Sequence, residues 1–440
     1  MKNNIMKSRI NDTGGHFMER KIREYLTKWK RDQNRKPLVV YGNKQVGKTY
    51  TVLKFGEEEY KNVIYFNADN NRELLEIFQK EKTIPKIISK LSVLSNESIL
   101  TEDSLIVIDN VNQIEIVNGI KTFGKFKNEY HIILITSLKQ NLSQFKGEEL
   151  QFKMMMPLDF EEYLVAIDNA QLIDFIRASF KNSTPMPFHS VALEYYQDYL
   201  MTGGLPEVIE LYKREKNKTL LNSIYDKTMD SYKKELLYQK DLINITRSIE
   251  VLESIPYQLQ KNNRKFQYGL IKAGSRAKDY EEAINYLYNN GFIYKCYKVT
   301  DIKSPLTSCR DKESFKIYLN DTGMLFHALH LNQTKFETDD EIKNIIYENS
   351  IAIALMNASY SLNYYQSEGK AEINFVIQTR TGKILPIELV NKNMAKSKSL
   401  TLFMNRFKVQ EAIRITEDNF TIKKGIRYIP IYALFCLEGL

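Results

Sequence analysis

The chain has 440 residues, enough for about three domains that each bury a core. Its 43% apolar and 27% charged residues are the proportions of a globular chain rather than a disordered or fibrous one. A net charge of +9 permits nucleic-acid binding without establishing it, and three cysteines lacking C-x-x-C spacing point to reduced thiols rather than a disulfide framework.

Residues 1–17 are polar and mixed and read as a loose tail, and Met18 to Trp29 has the periodicity of an amphipathic helix. The start of the chain has no apolar signal core, and no segment approaches the roughly twenty apolar residues of a membrane span. A cytoplasmic protein without a membrane partner is therefore expected. Pro37 to Tyr41 reads as a buried parallel strand. Gly42-Asn43-Lys44-Gln45-Val46-Gly47-Lys48-Thr49 comes directly after it and fits G-x-x-x-x-G-K-[ST] without a mismatch. Glycines let such a loop wrap a triphosphate, and the helix N-terminus behind it supplies free N–H groups and a favourable dipole. Lys48 would reach the β- and γ-phosphates, and the Thr49 hydroxyl would ligate a bridging Mg²⁺. ATP and Mg²⁺ are the expected ligands.

Three further apolar runs, Asn62 to Asn67, Ser104 to Asp109 and His131 to Ser137, alternate with helical stretches, and a fourth lies near Leu150 to Met156. This is the pattern of an α/β domain with a parallel sheet covered on both faces, expected over residues 18–165. Asp109 ends its strand where a carboxylate would hold Mg²⁺ through water. Asn110 comes next, in a slot where ATPases of this type carry a glutamate that polarises the attacking water, and an amide cannot accept that proton. Thr136 and Ser137 stand where a sensor would touch the γ-phosphate, or equally cap the adjoining segment.

From Asp159 to about Tyr238 the pattern is helical and breaks at Thr202-Gly203-Gly204-Leu205-Pro206, which suggests a helical lid over residues 166–240. Residues 241–335 read as a winged helix. Arg247 to Ile255 forms a helix that Pro256 ends or kinks, and Arg276 to Asn290 forms a second that Gly291 stops. Phe292 to Val299 and Ser314 to Leu319 are strands joined by a polar wing. Such a domain docks into DNA or against a partner domain, and Asp279, Glu281 and Glu282 on the second helix oppose phosphates. His327 and His330 lack the rest of a metal motif and fit a helix surface. The lysine runs Lys213 to Lys218 and Lys392 to Lys398 are short and read as solvated faces.

In the last region, residues 336–440, a helix with Glu348 precedes strand Asn363 to Gln366, then Ala371 to Ile377, a turn at Thr379 to Gly382, and Leu385 to Val390. This is the layout of a PD-(D/E)xK nuclease core, where an Asp and an E-x-K place two carboxylates and a lysine around Mg²⁺. Asn374 stands in the Asp slot and Val390 in the Lys slot. An amide lacks the charge a hard cation needs, and valine cannot orient a water. Glu348, Glu372 and Glu388 remain, with Lys392 as a displaced lysine, and cleavage is not expected.

The chain from about Met18 onward resembles the bacterial and archaeal AAA-type ATPases that join a P-loop domain to a C-terminal domain of unknown function. The resemblance is carried by Gln45 to Thr49, Pro157 to Leu164, Gly203 to Val208, Phe315-Lys316, Asp321 to Leu325, Glu348-Asn349, Glu372 to Phe375 and Pro386 to Glu388. It implies a cytoplasmic ATP-binding protein, with Asn110, Asn374 and Val390 departing from the family pattern. Two readings arise: a regulatory or DNA-associated ATPase whose nucleotide state sets the C-terminal domains, and an interaction module that keeps ATP as a structural ligand. A protein partner or homo-oligomer is compatible with both.

Overall fold

The structure is a computed structural model describing residues 18–124, 129–137, 148–216, 218–237, 242–367, 371–390 and 398–440. The expected tail, together with Lys392 and Lys396, lies outside them. The chain forms two compact units, one running to Met156 and including Asn289–Gly291, the other comprising Pro157–Tyr288 and Phe292–Leu440. No helix among the described residues is long and apolar enough to cross a membrane.

In the first unit, helix α1 (Ile22–Arg31) precedes β1 (Leu38–Tyr41), α2 (Lys48–Glu59), β2 (Asn62–Asn67), α3 (Arg72–Lys80), α4 (Ile84–Ser95), β3 (Ser104–Asp109), α5 (Ile114–Gly124), β4 (His131–Thr136) and β5 (Gln151–Met154). The five strands form one sheet in the order β2-β3-β4-β1-β5, and every pairing is parallel. Every residue of β3 and β4 is buried, which is why both read as unbroken apolar runs rather than alternating ones. Leu74, Phe78, Ile116 and Ile120 pack with Ile64, Ile106 and Ile132 in one core. The strand ends Tyr41, Asp109 and Thr136 share the carboxyl edge of the sheet, where ligands bind in open α/β folds.

The second unit opens with five helices, α6 (Phe160–Ala166), α7 (Gln171–Asn182), α8 (His189–Thr202), α9 (Pro206–Glu215) and α10 (Lys218–Leu236). The break between α8 and α9 is fixed by chemistry 117 positions away, where the Asp321 carboxylate accepts a bond from Gly204 N at 2.7 Å. Gly203 has φ of +61°, and a Cβ there would lie 2.3 Å from Asp321 Oδ1. The Gly204 carbonyl accepts from Leu158 N at 2.7 Å, and Tyr225 OH bonds to Thr202 O and Asp321 Oδ1. Three distant motifs, Pro157 to Leu164, Gly203 to Val208 and Asp321 to Leu325, thus share one buried joint.

Next come α11 (Leu242–Leu259), α12 (Ala277–Asn289), β6 (Ile293–Val299), β7 (Arg310–Leu319), α13 (Thr322–Ala328), α14 (Gln333–Thr338) and α15 (Asp340–Asn357). Helix α11 does not end at Pro256, the first of the two outcomes expected there, but runs on to Leu259. Interior proline costs about 3 kcal/mol, but burial of Val251, Leu252, Ile255 and Leu259 offsets it, and Gln260 Nε2 bonds to the Pro256 carbonyl. The segment between β6 and β7, expected as a wing, is largely exposed but anchored by one buried residue. Leu306 within it is buried among Val299, Tyr365, Ile373 and Phe403, and its N–H bonds to Gln378 Oε1.

The remaining elements are β8 (Asn363–Gln366), β9 (Glu372–Ile373), β10 (Phe375–Gln378), β11 (Ile384–Val390), α16 (Ser399–Phe407), β12 (Ala412–Thr416), β13 (Thr421–Lys423) and β14 (Ile426–Pro430). One sheet runs β7-β6-β8-β9 and the other β10-β11-β12-β14-β13. The hairpin of β6 and β7 therefore shares a sheet with β8, across the 335/336 boundary expected from sequence. The single strand expected over 371–377 is two, because Asn374 leaves one sheet for the other: its Oδ1 accepts from Leu389 N at 2.9 Å in place of a ladder bond.

Candidate functional site

Strand β1 delivers the chain into a loop that only glycine can make at two points. Gly42 has φ of +153° and would place a Cβ 2.1 Å from Met155 O, and Gly47 has φ of +92° immediately before α2. Gln45 also has positive φ, +66°. Asn43 and Val46 are buried, and Lys44 and Gln45 are half-buried. Arg20 braces the loop from outside, with Nη1 on Val46 O and Nη2 on Met156 O, both at 2.7 Å. The buried Lys48 ammonium curls back onto Gly42 O and Asn43 O at 2.7 Å each.

Thr49, on the first turn of α2, donates its hydroxyl to Asp109 Oδ2 at 2.7 Å across 60 positions of sequence. Tyr65 OH reaches the same oxygen at 3.1 Å, and Asn110 N bonds to Asp109 Oδ1 at 2.8 Å. A hydroxyl and a carboxylate held side by side are hard oxygen donors suited to Mg²⁺, and Lys48 on an anion-facing loop suits a triphosphate. Asn110 is exposed at φ of +56°, a left-handed conformation asparagine tolerates, and its amide donates to Asn67 Oδ1 at 3.2 Å. Ser137 directly follows β4, half-buried at the same sheet edge, while the residues it would cap lie outside the described ones.

A second cluster of charge lies inside the second unit, around Glu348. Its Oε1 accepts from Lys316 Nζ at 3.0 Å and Tyr318 OH at 2.5 Å, and its Oε2 accepts from Arg264 and from Asn374 Nδ2 at 2.9 Å. Lys316 Nζ also reaches Glu372 Oε1 at 2.6 Å. Burial alone would raise the Glu348 carboxyl, yet Arg264 and Lys316 bring it down to about 2. Burial would likewise depress the Lys316 ammonium, but Glu348 and Glu372 hold it above its ordinary range. Glu388 turns to Arg414, its neighbour on the parallel strand, at 2.8 Å. Val390 ends β11 half-buried. Among the described residues no three His, Cys, Asp or Glu side chains are placed to hold a metal.

Glu348, Glu372 and Asn374 are thus brought together around an ammonium and a guanidinium. Glu388 is paired with Arg414 instead. Arg20, Tyr65, Arg264, Tyr318 and Arg414 were not legible as site residues. Lys316 carried two signals, its place in the Phe315-Lys316 pair of the resemblance and its position as a lysine inside the apolar run Phe315 to Leu319.

The sequence matches the profile of an AAA domain over residues 34–164, a domain of unknown function (DUF8612) over 193–335 and another (DUF4143) over 343–434. No curated protein matches the chain. Among solved structures it is similar to a Walker-type ATPase of Pyrococcus abyssi, at 13% identity over 72% of this chain and 96% of that one, with a TM-score of 0.42. It is also similar to a signal transduction ATPase with a tetratricopeptide repeat sensor from Pyrococcus horikoshii, at 16% identity, 78% and 45% coverage and a TM-score of 0.29. A third is the Aeropyrum pernix Orc1 protein in complex with DNA, at 13% identity, 70% and 90% coverage and a TM-score of 0.27. The chain joins a parallel α/β domain that matches an AAA domain to a C-terminal region that matches two domains of unknown function.

Proposed function

We propose that this is an ATP-binding protein of AAA type that turns its nucleotide over slowly and uses nucleotide occupancy to set the state of its C-terminal region. The triphosphate lies along Gly42 to Lys48, and Thr49 and Asp109 hold the Mg²⁺. The observation that carries the reading is the 2.7 Å contact between Thr49 Oγ1 and Asp109 Oδ2 beside a lysine-bearing glycine loop. The match to an AAA domain supports it. Slow turnover rests on Asn110, which has no basic group to take a proton from water.

The same asparagine favours a second reading, an interaction module that keeps ATP as a structural ligand and gains stability from it by mass action. Calorimetric ATP affinity and phosphate release, measured on one purified sample, separate the two. Binding with slow, Lys48-dependent release supports the first, and binding with no release at all supports the second. Absence of binding by folded protein would remove both.

The C-terminal region is read as a non-cutting one, because Glu348 and Glu388 are each paired with cations of the chain itself. Nucleic-acid association, if present, is weak, indifferent to sequence and salt-dependent, since it would rest on scattered lysines such as Lys398. Cleavage of DNA or RNA with Mn²⁺ that disappears in Glu388→Gln would refute this.

A further inference from the structure

We propose that the Lys316 ammonium takes the place of the divalent cation in the nuclease-like centre, so that Glu348 and Glu372 form a closed ion-paired joint rather than a vacant metal site. The charge count is balanced locally: Glu348 and Glu372 face Lys316 and Arg264. No net negative charge remains to draw in a hard cation. All four groups on Glu348 are donors, one pair to each oxygen. A metal would have to displace them, and would find in Lys316 and Arg264 no lone pair to bind.

Asn374 fits this scheme better than the aspartate of a working nuclease would. Its Oδ1 is held by Leu389 N, which turns its Nδ2 toward Glu348. An aspartate there would keep the first bond but set a second negative charge against Glu348. Lys316 itself comes from outside the nuclease-like segment. It sits on β7, wholly buried, opposite Cys296 of β6, with the Tyr364 ring 5.0 Å away. The bridge therefore ties the stretch matched over 193–335 to the one matched over 343–434. The internal cation is a positioning group for the two stretches, independent of nucleotide chemistry in the first unit.

The test counts bound Mn²⁺ on the full chain without nucleotide, by electron paramagnetic resonance. Wild type and Asn374→Asp should bind no more Mn²⁺ than Glu348→Gln does. Lys316→Ala combined with Asn374→Asp should gain one additional Mn²⁺, lost again when Glu348→Gln is added. A Mn²⁺ on the wild type that Glu348→Gln abolishes would overturn the proposal, as would a folded double variant that gains none. Should the double variant not fold, Asn374→Asp alone decides: an additional Mn²⁺ with Lys316 intact overturns the proposal, and none upholds it.

Discussion

Lys48 and Lys316 are both buried lysines within reach of carboxylates or carbonyls, but their surroundings differ. Lys48 rests on two neutral carbonyls of its own loop, and Asp109 beside it is paired with hydroxyls and an N–H rather than with a cation. Lys316 is wedged between two carboxylates, with Arg264 completing the neutralisation. A loop whose carboxylate meets hydroxyls and an N–H, and whose ammonium rests on loop carbonyls, can exchange those contacts for phosphate and Mg²⁺ at small cost. A cluster in which each full charge already meets its opposite, with Glu348 and Lys316 buried, cannot, because displacing one member strands a buried charge.

The largest effect should come from breaking the second arrangement. Lys316→Ala leaves Glu348 and Glu372 short of a cation, and loss of one partner of a buried pair costs about 3–5 kcal/mol. Thermal or urea unfolding should show that loss, with ATP affinity unchanged. Glu348 also sets an acid limb. Its folded pKa of about 2 lies below its ordinary 4.5, so its contribution is present above about 4.5 and disappears as pH falls toward 2. The stability lost across that window should be of the order of 3 kcal/mol and should be absent in Glu348→Gln. Lys316, held above its ordinary value, stays charged throughout the window and adds no slope there. An unchanged acid limb in Glu348→Gln would place the titrating group elsewhere.

Lys48→Ala should do the reverse. Without ligand the melting temperature should change little, since the carbonyl contacts of Lys48 are to neutral groups of its own loop. ATP affinity should fall by at least about 1.5–3 kcal/mol, the range for a charge-assisted contact. A folded variant with wild-type affinity would remove the P-loop assignment and with it the contrast between the two lysines.

The legibility of the two centres comes from the same difference. The P-loop is local: eight consecutive residues, a preceding apolar strand and a helix, all readable from spacing. Ser104 to Asp109 was legible to the residue because a parallel strand buried on both faces leaves a continuous apolar run, and Asn62 to Asn67 because an edge strand keeps its apolar centre between polar ends. The Glu348 cluster is assembled from residues 32 and 56 positions from Lys316, so no window of sequence contains it. Asn374 read as a lost metal ligand, whereas its visible role is to carry the chain from one sheet to the other, which alternation in a strand does not encode. The end expected at Pro256 was overridden for a similar reason. The burial that carries the helix past it is supplied by tertiary contacts.

A smaller effect is expected at Asn110, and the backbone limits it. A restored general base contributes about a hundredfold or more to the rate. The residue sits at φ of +56°, however, where a side chain such as glutamate costs roughly 1–2 kcal/mol. Asn110→Glu should therefore raise steady-state phosphate release by about tenfold net, measured against Lys48→Ala as the blank. Fast turnover by the wild type would refute the assignment of the slot and direct attention to Glu115 on α5, near the same strand end.

The smallest effect tests whether the P-loop is held or merely present. Arg20 spans Val46 O and Met156 O with two nitrogens of one rigid fork, so it fixes the distance between the loop and the end of β5. Lysine has a single ammonium that can meet only one of those carbonyls well. Arg20→Lys should lose about one hydrogen bond, near 1 kcal/mol, in unliganded stability. ATP affinity should fall by less than in Lys48→Ala, because the phosphate-facing groups are untouched. If Arg20→Lys and Arg20→Ala both leave affinity and melting unchanged, the brace is dispensable. The ability of the first centre to exchange its contacts would then rest on the glycines and Lys48 alone.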